Sequence, residues 1–334
     1  MIPQRRASRI ALFAAGGVGT AVAGGSASLY GLIWAETKLA KRRIPEAKDA
    51  PPVTDDTTWT ATGVATSRRP LSMAMLGDST AAGYGTHHAF ETPAARLALG
   101  MSEAARRPVH VTNVAKVGAE SSELPPQLEA LAGRQLDIAI IMIGANDVTS
   151  RVSPEVAVGH LADTVRGLIA LGAEVVVGTC PDLGTIRPIA QPLRAFARVL
   201  SRRMARAQTV AAVEAGARSV SLGDLLGPMF MVDRNLFAED RYHPSAAGYA
   251  EAASAVLPSC LDALGLATRA RSASTFTTRR VKPVARAAAQ AAARPGTEVA
   301  AAERFGRSEN RRGGLAQLRR RLLRRDPPVA TLDD

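Results

Sequence analysis

An α/β fold with a parallel, doubly wound sheet is what this 334-residue chain predicts. Three observations lead there. Residues 71–77, 136–143 and 174–180 are short runs, apolar along nearly their whole length, as expected of strands covered by helices on both faces. Longer amphipathic stretches separate them, so strand and helix alternate. The short polar motifs fall where strands end or a helix begins, which is where open α/β sheets bind ligands.

The elements follow in order. Residues 10–34 hold no charged side chain, with Arg5, Arg6 and Arg9 before them and Lys38, Lys41, Arg42 and Arg43 after. As a helix those residues would reach about 37 Å, enough to cross a bilayer core. Segment 1–43 is therefore expected to be a membrane anchor or a signal peptide; the length of the run favours the anchor. Flanking charges nearly balance and leave its orientation open. Residues 44–70, rich in Pro, Asp and Thr, read as a linker. Residues 71–265 form the expected domain. Its strands are 71–77, 109–115, 136–143, 174–180 and 218–221. Its helices lie near 92–106, 124–132, 154–171, 189–216 and 244–264. From residue 266 the pattern fails, and 266–334 reads as a disordered tail. Leu315, Leu318, Leu322 and Leu323 amid arginines leave room in it for a short basic amphipathic helix.

Net charge is +12, distributed as +6 over residues 1–43, −4 over 44–265 and +10 over 266–334. The basicity thus belongs to the ends and says little about what the domain binds. Anionic lipid suits such a tail better than nucleic acid, because only Phe276 and Phe305 are available there for base stacking. Two cysteines, Cys180 and Cys260, make no disulfide framework and read as buried thiols. Zinc-ligand spacings, a Walker A loop, G-x-G-x-x-G and the G-x-S-x-G elbow are all missing from the sequence.

Four motifs carry chemistry: Gly77-Asp78-Ser79, Gly118, Gly144-Ala145-Asn146-Asp147, and Asp240-Arg241-Tyr242-His243. A serine hydroxyl needs a neighbouring base to become a nucleophile, and His243 is the best candidate. Asp240, three residues earlier, is placed to hold the imidazole tautomer. Charge growing on an attacked carbonyl oxygen needs preorganised donors. The backbone N–H groups of Ser79 and Gly118 and the side-chain amide of Asn146 would supply three. Pro244 is expected in the first turn of the last helix. Asp147 reads as a brace for its loop. His87, His88 and Tyr84 share a loop near Ser79, and His110 and His160 read as structural. Each motif alone has a bland reading as a cap, turn or surface residue; their ordered combination points to acyl transfer.

On these four blocks the chain resembles the SGNH, or GDSL-type, hydrolases, a family of serine esterases and lipases, over about residues 70–264. The resemblance implies a flavodoxin-like three-layer α/β/α sandwich with about five parallel strands. It also implies Ser79 as nucleophile, Asp240 and His243 as its partners, an oxyanion hole from Ser79, Gly118 and Asn146, and no metal or organic cofactor. The expected activity is hydrolysis of a carboxylic ester, on a lipid or an acylated glycan, through an acyl-enzyme. Two alternatives stand beside it. One is an acyltransferase or deacetylase acting on cell-envelope glycans. The other is a non-catalytic protein that binds membrane surfaces or polyanions through its basic ends. Localisation is expected to be membrane-anchored or exported, at a bacterial-type cell envelope.

Overall fold

A computed structural model describes residues 50–266 of the chain. The expected anchor or signal at 10–34 and the basic tail beyond 266 lie outside the described residues. Among the described residues no helix is long and apolar enough to cross a membrane.

Six strands form one sheet: β1 (Thr57–Trp59), β2 (Leu71–Gly77), β3 (Val109–Asn113), β4 (Ile138–Met142), β5 (Glu174–Gly178) and β6 (Arg218–Val220). Their spatial order is β1-β3-β2-β4-β5-β6, with β2 to β6 parallel and β1 antiparallel against β3. The path steps outward from β2 to β3, then jumps back across β2 to β4. That reversal makes a crevice at the carboxyl ends of β2, β3 and β4.

Among the described residues eight α-helices accompany the sheet: α1 (Ser79–Ala82), α2 (Pro93–Ala105), α3 (Leu124–Glu129), α4 (Ala145–Thr149), α5 (Pro154–Ala170), α6 (Leu193–Glu214), α7 (Leu222–Val232) and α8 (Ala246–Ala263). Alternation along the strands sends Met73, Met75, Ile138 and Ile140 into one face of the sheet, against Leu97 and Met101 of α2 and Val256 and Cys260 of α8. Ala74, Leu76, Ala139, Ile141, Val175 and Val177 fill the other face, against Leu124 of α3, Leu161, Val165 and Leu168 of α5 and Ala212 of α6. This is the three-layer sandwich. Each such Leu, Ile or Met, fully buried, adds about 1.5–3 kcal/mol of hydrophobic stabilisation before entropy is counted.

Helix starts follow side-chain chemistry. Thr92 accepts from Ala95 N and Ser153 from Val156 N, each with a proline at the next position. In α2 the spacing Ala94, Leu97, Ala98, Met101 keeps one face buried.

Three differences from the sequence reading matter. The expected linker contributes β1, whose Thr-Thr-Trp suits an edge strand but is too short to stand out among prolines and aspartates. Helix α7 carries Gly223, Gly227 and Pro228, which hid its helical period. Pro244 is not in the first turn of α8; it pairs with Phe237 in an isolated antiparallel bridge, and Ser245 caps the helix by accepting from Gly248 N.

Candidate active site

The site begins with the way β2 ends. Gly77 has φ +133°, and a Cβ placed there would lie 1.8 Å from Met142 O on the neighbouring strand. Only glycine lets β2 run this close to β4. Asp78 N donates to the same carbonyl at 3.0 Å. Gln127 from α3 grips Gly77 twice: its Oε1 accepts from Gly77 N (2.8 Å) and its Nε2 donates to Gly77 O (3.0 Å). Asp78 then caps α1, accepting from Thr80 N at 2.8 Å, and Ser79 becomes the first helical residue. It is buried, with 8% of its surface exposed.

The strap 237–244 presents the histidine. It closes through Ala238 N donating to His243 O (2.8 Å) and the Phe237–Pro244 bridge. Within it Arg241 takes φ +57°. Asp240 Oδ1 accepts from the amides of Tyr242 and His243, each at 2.9 Å, and Oδ2 lies 2.6 Å from His243 Nδ1. The other ring nitrogen, Nε2, lies 3.0 Å from Ser79 Oγ, 164 residues away in sequence. A carboxylate at Nδ1 makes that nitrogen the donor and leaves Nε2 free to accept the hydroxyl proton. Tyr84 and Tyr242 meet the imidazole edge-on, with centroids at 4.6 and 4.9 Å. Buried Tyr249 steadies this packing by donating its hydroxyl to Tyr84 O at 2.8 Å.

Electrostatics separate the carboxyls. Burial alone would raise Asp240, but the bonds from the His243 ring and from the Tyr242 and His243 amides outweigh it and hold the group below its ordinary value. Asp78 goes the other way. Desolvation pushes it up to about 6, against the lowering effect of its Thr80 bonds. Burial likewise raises Asp147.

The third motif follows β4. Asp147 is fully buried and accepts from Ser121 N (3.0 Å) and Ser121 Oγ (2.9 Å), tying α4 to the loop after β3. This is the brace that the sequence suggests. Asn146 Nδ2 donates one hydrogen to Ala119 O at 2.9 Å, which leaves its second amide hydrogen available. Gly118 precedes Ala119, is exposed, has φ +82°, and faces open space where a Cβ would lie. Neither Ser79 N nor Gly118 N has a hydrogen-bond partner among the described residues.

The structure therefore joins Ser79, His243 and Asp240 in one hydrogen-bonded chain. It links Asn146 to the residue beside Gly118. His87 and His88 stand apart: both are exposed, their amides bond Glu91 Oε2, and the His88 ring stacks on Phe90. His110 pairs with Asp56 at the sheet edge. Cys180 and Cys260 are buried and are not joined in a disulfide. Among the described residues no cluster of His, Cys, Asp or Glu could hold a metal ion. Sequence reasoning missed Gln127 and the packing of Tyr84. It also missed Gln208, which accepts from Cys180 N (2.7 Å) and donates to Ile143 O (3.0 Å), bridging the ends of β4 and β5. No local motif marks either glutamine.

Among solved structures, the chain is similar to a catalytic mutant of an acetylxylan esterase from Geobacillus stearothermophilus, at 18% identity and a TM-score of 0.46, covering 60% of this chain and 96% of that one. It is also similar to phospholipase A1 from Streptomyces albidoflavus, at 17% identity and a TM-score of 0.43, covering 58% and 99%. A GDSL-like esterase from Mycobacterium tuberculosis is 43% identical over 270 residues, which span 78% of this chain and 85% of that protein. The family model for GDSL-like lipases and acylhydrolases matches residues 75–251. This chain belongs to the GDSL-like lipase/acylhydrolase (SGNH hydrolase) family and is a carboxylic ester hydrolase.

Proposed function

We propose that the chain is a serine esterase working through an acyl-enzyme on Ser79. The observation that carries the reading is the continuous line Ser79 Oγ, His243 Nε2, His243 Nδ1, Asp240 Oδ2, at 3.0 and 2.6 Å. Ser79 Oγ forms a bond to the ester carbonyl carbon as its proton passes to His243 Nε2. Asp240 keeps Nδ1 as donor and stabilises the imidazolium. Oxygen charge is met by Ser79 N–H, Gly118 N–H and the second hydrogen of Asn146 Nδ2. The C–O bond to the leaving alcohol then breaks, and the alcohol leaves with the proton from His243. Water repeats the sequence with His243 as base, releasing the acid and restoring Ser79.

The proposed substrates are carboxylic esters of lipids or acylated glycans. The same intermediate serves transfer if an alcohol replaces water, so product analysis with a competing alcohol separates hydrolysis from the acyltransferase alternative. The deciding experiment is hydrolysis of p-nitrophenyl acetate by the Ser79→Ala protein. Turnover is expected to fall by about 10⁴-fold or more while the melting curve is retained. Undiminished hydrolysis would refute the assignment. We also propose that residues 10–34 anchor the chain at the cell envelope; protease accessibility on intact cells, with and without that segment, tests it.

A further inference from the structure

A groove of about 610 Å³ opens beside the strap that carries His243, a size suited to a small ligand. Its lining includes Arg187 from the loop after β5, Phe230 of α7 and Arg234 of the turn that follows, and Phe237, Glu239 and Arg241 of the strap. The lining thus carries three arginines and one glutamate. Arg187 Nη2 donates to Met231 O at 2.7 Å, tying the two walls together. The side chains of Arg234 and Arg241 are exposed and make no hydrogen bond or ion pair among the described residues. Phe230 and Phe237 stack edge-to-face, with centroids 5.0 Å apart, and add an apolar surface.

We propose that this groove holds a carboxylate or phosphate carried by the ester substrate while the ester itself lies at Ser79. Guanidinium groups match both anions with paired N–H donors. The aromatic pair suits the ring or chain that bears the charge. The groove shares the strap with the histidine: Arg241 is two residues from His243, so their Cα atoms lie within about 7.6 Å. The inference rests on the esterase reading above and narrows its substrate class.

The test compares 4-acetoxybenzoate and 4-acetoxyphenyl phosphate with the neutral methyl 4-acetoxybenzoate, each rate normalised to its hydroxide-catalysed rate. The full chain should favour at least one anionic ester by about tenfold in kcat/KM, as expected of two solvated ion pairs. The two anions distinguish a carboxylate from a phosphate site. Arg234→Gln and Arg241→Asn should bring the ratio toward one, Glu239→Gln should raise it, and added salt should lower it. A ratio near one in the unaltered chain, or one indifferent to Arg234→Gln, overturns the inference and leaves the esterase intact. If no ester turns over, the esterase reading fails instead. Calorimetric binding of the three esters to Ser79→Ala protein then decides the groove alone: tighter anionic binding that Arg234→Gln weakens supports it, and equal affinity overturns it.

Discussion

Replacing Gly77 with alanine would put a methyl carbon 1.8 Å from Met142 O. Contacts of that kind are essentially never shorter than 3.0 Å, so β2 and β4 would have to part by at least 1.2 Å. The obstacle is backbone of a central strand and cannot swing aside. Parting breaks the Asp78 N–Met142 O bond and strains both bonds from Gln127. At about 1 kcal/mol each, with about 1–2 kcal/mol for φ +133°, the loss comes to about 4–5 kcal/mol. That is a large part of a typical domain's 5–15 kcal/mol, as a rough scale. Ser79 lies two residues on, and a misplacement of about 1 Å costs about 10²-fold in rate. Urea unfolding and p-nitrophenyl acetate turnover per folded molecule measure the two effects. Gly63→Ala is the control: φ is +75°, no atom lies within 4 Å, and only about 1 kcal/mol with no change in turnover is expected. A Gly77→Ala protein within about 1 kcal/mol of its parent and fully active would refute this argument.

Asn146→Ala should lower kcat by about 10²–10³-fold with little change in KM, measured on the same ester. Asp240→Asn should cost about 10⁴-fold by favouring the wrong imidazole tautomer. Because the native Asp240 carboxyl is held below its ordinary value, it adds stability above that value and loses it as pH falls through the folded one. The stability gap between parent and Asp240→Asn should therefore close below about pH 3.9 in urea titrations. Asp78 has the opposite sign. Its rise from 3.8 to about 6 destabilises the fold by about 3 kcal/mol above pH 6 and by nothing below pH 4. Asp78→Asn, whose amide oxygen still accepts from Thr80 N, should stabilise the protein at pH 8 and leave it unchanged at pH 4; equal effects at both would count against it.

The parallel core was legible because its strands are buried on both faces. An apolar run such as 138–142 needs no partner in sequence to declare itself. Ser79, Asn146 and His243 were legible because each sits at a strand end or strap with a recognisable local motif. Contacts made across the fold were not. Gln127 and Gln208 act through both ends of a side-chain amide on strands far away in sequence, and nothing in their surroundings distinguishes them from solvent-facing helix residues. Strand β1 escaped because three residues give no period, and α7 because its glycines and proline speak against a helix that tertiary packing nevertheless holds. The placement of Pro244 failed for a similar reason: its bridge to Phe237 is a tertiary pairing that helix-start statistics do not contain.

The small antiparallel strand at the margin has an outcome beyond its size. Without Thr57–Trp59, the outer row of amide and carbonyl groups on Val109–Asn113 would stand bare, a template on which a second molecule's chain could zip. Three residues cover most of that row and offer a newcomer too short a ladder of their own. A version of the chain starting after Trp59 would keep every group around Ser79 and still be prone to stick to itself.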